Sequence, residues 1–150
     1  MNDDRHLILR VVSKLFIPLI ILFALYVQFH GDFGPGGGFQ AGVLIAVAAV
    51  LHALVFGVSE TEKAVPVGFV RIGAAVGVLL YGGVGLVSLL NGGAYLDYDF
   101  LVDEAPGGHI GQHIGIILVE LGVLFTVAST LVAVFYAFAG RAPEISDEDW

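Results

Sequence analysis

The chain has 150 residues and no cysteine. That absence excludes a disulfide scaffold and any thiolate metal site. Positive charge is scarce too: six Lys and Arg stand against 14 Asp and Glu, for a net charge of −8. This balance argues against a nucleic-acid partner, which requires a basic face. Charged residues of both signs make up only 13% of the chain, about half the share of a soluble domain. Catalytic signatures are missing as well. The sequence has no Walker spacing, no zincin motif, no defensible Ser-His-Asp arrangement and no haem-ligand pair.

What is there is apolar. Hydrophobic residues make up 57% of the chain, 21 residues are glycine, and the mean hydropathy is +0.91. This composition predicts an all-α integral membrane protein with closely packed helices. Four spans are expected, at about 11–29, 39–58, 67–90 and 110–139, within a single membrane domain over 1–150. A polar lead precedes them and an acidic tail, 141–150, follows. The first span reads as a retained helix rather than a signal peptide, because no small-residue cleavage site precedes His30 and three more spans follow. Pro18 is a candidate kink in that span. Residues 59–63 read as a charged turn, and Pro66 marks the start of the third span.

The six basic residues give an orientation. Arg5, Arg10, Lys14, Lys63, Arg71 and Arg141 lie near the termini or the second connection, and the first and third connections carry none. The positive-inside rule then predicts both termini in the cytoplasm. It places the 30–40 and 91–108 connections outside.

The first connection is the most distinctive stretch. His30-Gly31-Asp32-Phe33-Gly34-Pro35-Gly36-Gly37-Gly38-Phe39-Gln40 interrupts two apolar runs. A proline followed by three glycines cannot continue a helix cheaply. Two readings stand. Pro35, Gly36, Gly37, Gly38 and Phe39 form a tightly packed reversal, most simply against a partner subunit, or His30 and Asp32 handle an ion directly.

The fourth span offers a second candidate. His109, His113 and Glu120 recur at steps of four and seven, so they share one helical face, with Gln112 adjacent. A glutamate inside a span should face protein or water rather than lipid. Proton relay, cation coordination and a structural hydrogen bond all fit it, and histidine suits a relay near neutral pH. Two His and a distant Glu make an incomplete zinc set, so no metal site is assigned. His52, alone in the second span, reads as an interhelical hydrogen-bonder or a relay. Arg71 reads as an anchor at a helix end. Gly73 and Gly77 form a small-xxx-small face for close helix packing. The acidic Asp97, Asp99, Asp103 and Glu104 form either a solvated loop or a cation-concentrating patch.

Two stretches carry a family resemblance: His30 with Pro35-Gly36-Gly37-Gly38-Phe39-Gln40-Ala41-Gly42, and the run from Gly111 to Val123 through Gln112, His113, Gly115 and Glu120. Together they resemble the MrpB family, also called MnhB, of multisubunit sodium/proton antiporters, from the first span through the fourth. The resemblance implies a small accessory subunit of a plasma- or inner-membrane assembly rather than an enzyme. Its expected partners are the lipid bilayer and the other small and large subunits. No cofactor is expected, and sodium ions and protons are the transported species. In such assemblies the large subunits carry the principal proton machinery, while small ones support assembly and are candidates to line the sodium route. Gly111 and Gly115 are expected to serve packing. Related modules in membrane-bound hydrogenases leave a redox-driven pump as an alternative parent complex, and a homo-oligomeric channel is a second alternative.

Overall fold

The structure, a computed structural model, describes residues 3–31, 34–102 and 109–141. Asp32, Asp103, Glu104 and the tail from 142 onward lie outside the described residues. Among the described residues, four helices are long and apolar enough to cross a membrane. They are α1 (Asp3–His30), α2 (Gly38–Phe56), α4 (Val67–Leu90) and α5 (Ile110–Ala139). A short helix, α3 (Val58–Ala64), joins α2 to α4, and a 3-10 turn at Tyr98–Phe100 lies between α4 and α5. No strand occurs among the described residues.

The bounds of α4 and α5 are those the hydropathy pattern predicts. Pro66 stands at the N-cap of α4, where its missing N–H removes nothing the helix would use. Three features differ by more than one residue. α1 begins at Asp3, well before residue 11: Leu7-Ile8-Leu9-Arg10 contains good helix formers and no breaker, so the polar lead joins the helix. α2 stops at Phe56 because Gly57 turns to φ 97, a conformation that favours glycine. The expected charged turn is instead the seven-residue α3. α1 continues as one helix through Pro18.

The helices stand side by side in the order α1, α2, α5, α4. The α4–α5 contact is backbone to backbone. A Cβ on Gly77 would lie 2.5 Å from the Gly122 carbonyl oxygen, and one on Gly122 would lie 2.9 Å from that of Gly77. Only glycine on both sides allows this approach. Gly73 faces the Ser129 hydroxyl one turn away. The neighbour of the Gly73–Gly77 face is therefore α5 of the same chain. A small apolar cluster of Ala46, Val70, Val132 and Tyr136 joins α2, α4 and α5.

Large apolar side chains cover the outside. Leu15, Leu19, Leu22, Phe23 and Tyr26 of α1 are all exposed, as are Leu86 and Leu90 of α4. An apolar exterior of this extent belongs against lipid or other membrane helices rather than water.

α2 and α5 do not start level. Gly38, the first residue of α2, packs against Glu120, ten residues into α5. At 1.5 Å per residue, the glycine reversal sits about 15 Å below the start of α5. α4 and α5 therefore rise beyond α1 and α2 at this end of the molecule.

Candidate functional site

The sequence presents the glycine stretch and the α5 polar face as separate candidates. The structure joins them. The Glu120 carboxylate occupies the space where side chains of Gly31 and Gly37 would stand. A Cβ on Gly31 would lie 2.5 Å from Glu120 Oε1, and one on Gly37 would lie 2.8 Å from it. Below the carboxylate, a Cβ on Gly38 would collide with the Glu120 carbonyl oxygen. The close packing of the reversal is thus within the chain, against α5.

The reversal is held by backbone bonds. The Gly37 N–H donates to the Val27 carbonyl at 3.1 Å, and the Gly34 N–H donates to His30 at 3.1 Å. Gly37 has φ 119 and ψ −176, a region essentially closed to residues with a Cβ. Gly37 also caps α2 and has no side chain to offer as a cap. Glu120 therefore places its carboxylate beside the positive end of the α2 dipole.

His30 ends α1 directly before Gly31. Its ring stacks on Tyr26 with centroids 5.2 Å apart and an 18° tilt, and Gly34 lies against its Nε2. Pro35 and Phe39 are exposed, and Gly36 is half-buried against the Val27 carbonyl. His113 and His109 are exposed and continue the Glu120 face toward the start of α5. Gly111 and Gly115 serve another contact: Tyr98 packs on both. Burial pushes the Tyr98 phenol up, and nearby Tyr81 adds to the shift.

Sequence reasoning missed one polar group near this site. Gln28 lies on α1 and is only 2% exposed. Its Oε1 has no hydrogen-bond partner among the described residues. It shares a helical face with Gly31, one turn away. The signal was available, since Gln28 is the strongest hydrogen-bonding side chain in the run from Leu15 to Phe29. A buried amide oxygen without a partner is costly and needs a reason.

His52 does not join this group. It lies 14 residues beyond Gly38 on α2, about 21 Å along the axis. Its Nδ1 lies 2.7 Å from Thr61 Oγ1, and the Thr61 hydroxyl donates to the Gly57 carbonyl at 3.0 Å. A hydroxyl has one proton, so Nδ1 donates to Thr61. The His52 ring also packs on Phe56 at 4.7 Å. This end of the molecule carries the charges. The Lys63 ammonium donates to Glu60 at 2.6 Å, and that bond together with its charge holds the Glu60 carboxyl below the usual carboxylate range. Tyr136 OH donates to the Val65 carbonyl at 2.9 Å, fastening α5 to the end of α3. Among the described residues, no group of three or more His, Asp or Glu is placed to hold a metal ion.

Comparison with known proteins places this arrangement in a family. Residues 8–133 match the model of a domain related to the MnhB subunit of Na+/H+ antiporters. The chain belongs to the MnhB family. A Staphylococcus aureus (strain MRSA252) protein named as an antiporter subunit, mnhB2, is 33% identical over 139 residues, covering 91% of this chain and 96% of the relative. The mnhB2 protein of strain Newman is 32% identical over the same length and coverage. The match spans both ends of the α-helical array, including the Glu120 reversal and the His52 end.

Proposed function

We propose that this chain is a small accessory subunit of a sodium/proton antiporter complex in the cell membrane, and that Glu120 is its ion-handling residue. The observation that carries the second part is the Glu120 carboxylate lying against Gly31 and Gly37, with Gly38 pressed on the Glu120 carbonyl. A carboxylate inside an apolar helix array is expensive unless protein groups compensate it. Here the compensation is backbone polarity at the start of α2. Gln28 adds an unused oxygen one turn below Gly31, and hard oxygen donors of this kind suit sodium or a proton-bearing water. His113 and His109 lie above, on the approach from the α5 start. The cargo is sodium ions and protons. His52, tied to Thr61, fixes α3 onto α2.

The orientation belongs to the same proposal. Arg10, Lys14, Lys63, Arg71 and Arg141 all fall at the His52 end, which supports a cytoplasmic location for that end and for both termini. Glu120 then faces the outside. The other small and large antiporter subunits are the partners, packed on the apolar faces of α1 and α4.

The test uses the assembled complex in inverted vesicles. Glu120→Gln keeps the shape and removes the charge. Sodium-dependent proton movement should fall at least tenfold while the copurifying subunits are unchanged. Normal exchange with normal sodium dependence would remove Glu120 from ion handling, and copurification with redox proteins in place of antiporter subunits would remove the parent assignment.

A further inference from the structure

The His52 end contains a cavity whose lining includes none of the residues around Glu120. A space of about 300 Å³ opens between α1, α2, α4 and α5. Its walls are almost entirely apolar, with Ile17, Ile21, Ile45, Phe69 and Val132 among them. His52 and Ala64 line this cavity, and they also line a second, polar depression of about 490 Å³. The two spaces therefore meet at His52 and Ala64.

The polar depression is cationic. Arg10, Glu60 and Lys63 line it together with Phe56. Lys14 Nζ stands 5.8 Å from the centre of the Phe56 ring, which adds a third cation at its edge. Lys63 is paired with Glu60, so Arg10 and Lys14 supply the net positive charge. Exposed Arg and Lys at the ends of apolar helices lie at the bilayer surface. An apolar slot running from that surface into the helix array, with cations at its mouth, matches one kind of molecule on both counts.

We infer that this double cavity is a binding site for one anionic phospholipid, with an acyl chain in the apolar slot and the phosphate beside Arg10 and Lys14. Charge complementarity selects this occupant over a partner helix, which would need to present an acidic group at the mouth and a slender apolar side below it. Basic pockets between membrane helices recognise anionic headgroups in this way. The bound lipid fills the gap between α1 and the remaining helices and ties the α1 end to α3. The site is independent of which ions cross at Glu120.

The experiment uses the full chain in nanodiscs of phosphatidylcholine with a minor fraction of phosphatidylglycerol, and native mass spectrometry counts the lipids retained on release. The wild-type chain should retain one phosphatidylglycerol well above its share of the bilayer. Arg10→Gln and Lys14→Gln should each lower that enrichment about fivefold, the effect of ~1 kcal/mol per basic residue at a membrane surface. Arg10→Lys should keep it. Ala64→Phe, an exposed position at the junction, should block retention without changing a charge. Equal retention of the two lipids would overturn the inference, as would enrichment indifferent to both Arg10→Gln and Ala64→Phe. A partner helix seated in the slot in the native complex would overturn it as well.

Discussion

At one end of the molecule a carboxylate is surrounded by backbone; at the other, an imidazole is tied to a hydroxyl. Glu120 sits where Gly31 and Gly37 have no side chains, and Gly38 presses on its carbonyl. His52 holds Thr61, which in turn holds Gly57. The first arrangement sets a carboxyl side chain against glycine backbone inside an apolar array. The second uses up the hydrogen-bonding capacity that faces the protein and closes a connection. Polarity inside a membrane protein therefore says little by itself. What matters is whether it packs on backbone or completes a bond to a side chain of another element.

Substitutions can break each side of this contrast, and the largest effect is expected at the reversal. Gly38→Ala drives a methyl group into the Glu120 carbonyl, and backbone cannot move aside as a flexible side chain would. The cost should be about 3 kcal/mol, read as a fall in thermal stability of the purified chain and poor assembly of the complex. At the other end, Thr61→Val keeps the volume and leaves the His52 Nδ1 proton without an acceptor. Its expected cost is about 2 kcal/mol, with faster hydrogen exchange confined to α3. Tyr136→Phe removes the bond to the Val65 carbonyl and should cost about 1 kcal/mol by the same measurement.

The smallest effect is a pH dependence at the charged end. Lys63 holds the folded-state pKa of Glu60 below its unfolded value. Stability from this pair is therefore present above the usual carboxylate range and lost as pH falls through the lowered value. Both side chains are exposed, so solvent screens the contribution. Thermal melts of wild type and Lys63→Gln should differ slightly at neutral pH and converge in acid.

Much of the fold is legible in the sequence. Long apolar runs bounded by Pro66, Gly108 and the glycine stretch mark the spans, because an unsatisfied backbone cannot lie in lipid. α3 is not legible. Seven residues rich in charge do not make a stable helix alone, and the bond from His52 that anchors it comes from another element. The start of α1 is missed because a polar segment was separated from a helix that simply continues. The residue types of the site are visible in the sequence, but the contact between Glu120 and Gly31 spans most of the chain and leaves no local periodicity. Gln28 reads as an ordinary polar residue in a span until its burial is known. Gly73 and Gly77 announce close packing, yet only the structure names Ser129 as what the first meets and Gly122 and Thr126 as what the second meets.

The sharpest test compares the two ends under one assay. Sodium-dependent proton movement is measured for Glu120→Gln and His52→Gln in fully assembled complexes in the same vesicles. Exchange should fall at least tenfold in the first and stay within about twofold of wild type in the second. Normal exchange in Glu120→Gln together with loss in His52→Gln would move the ion-handling role to the other end and contradict the account.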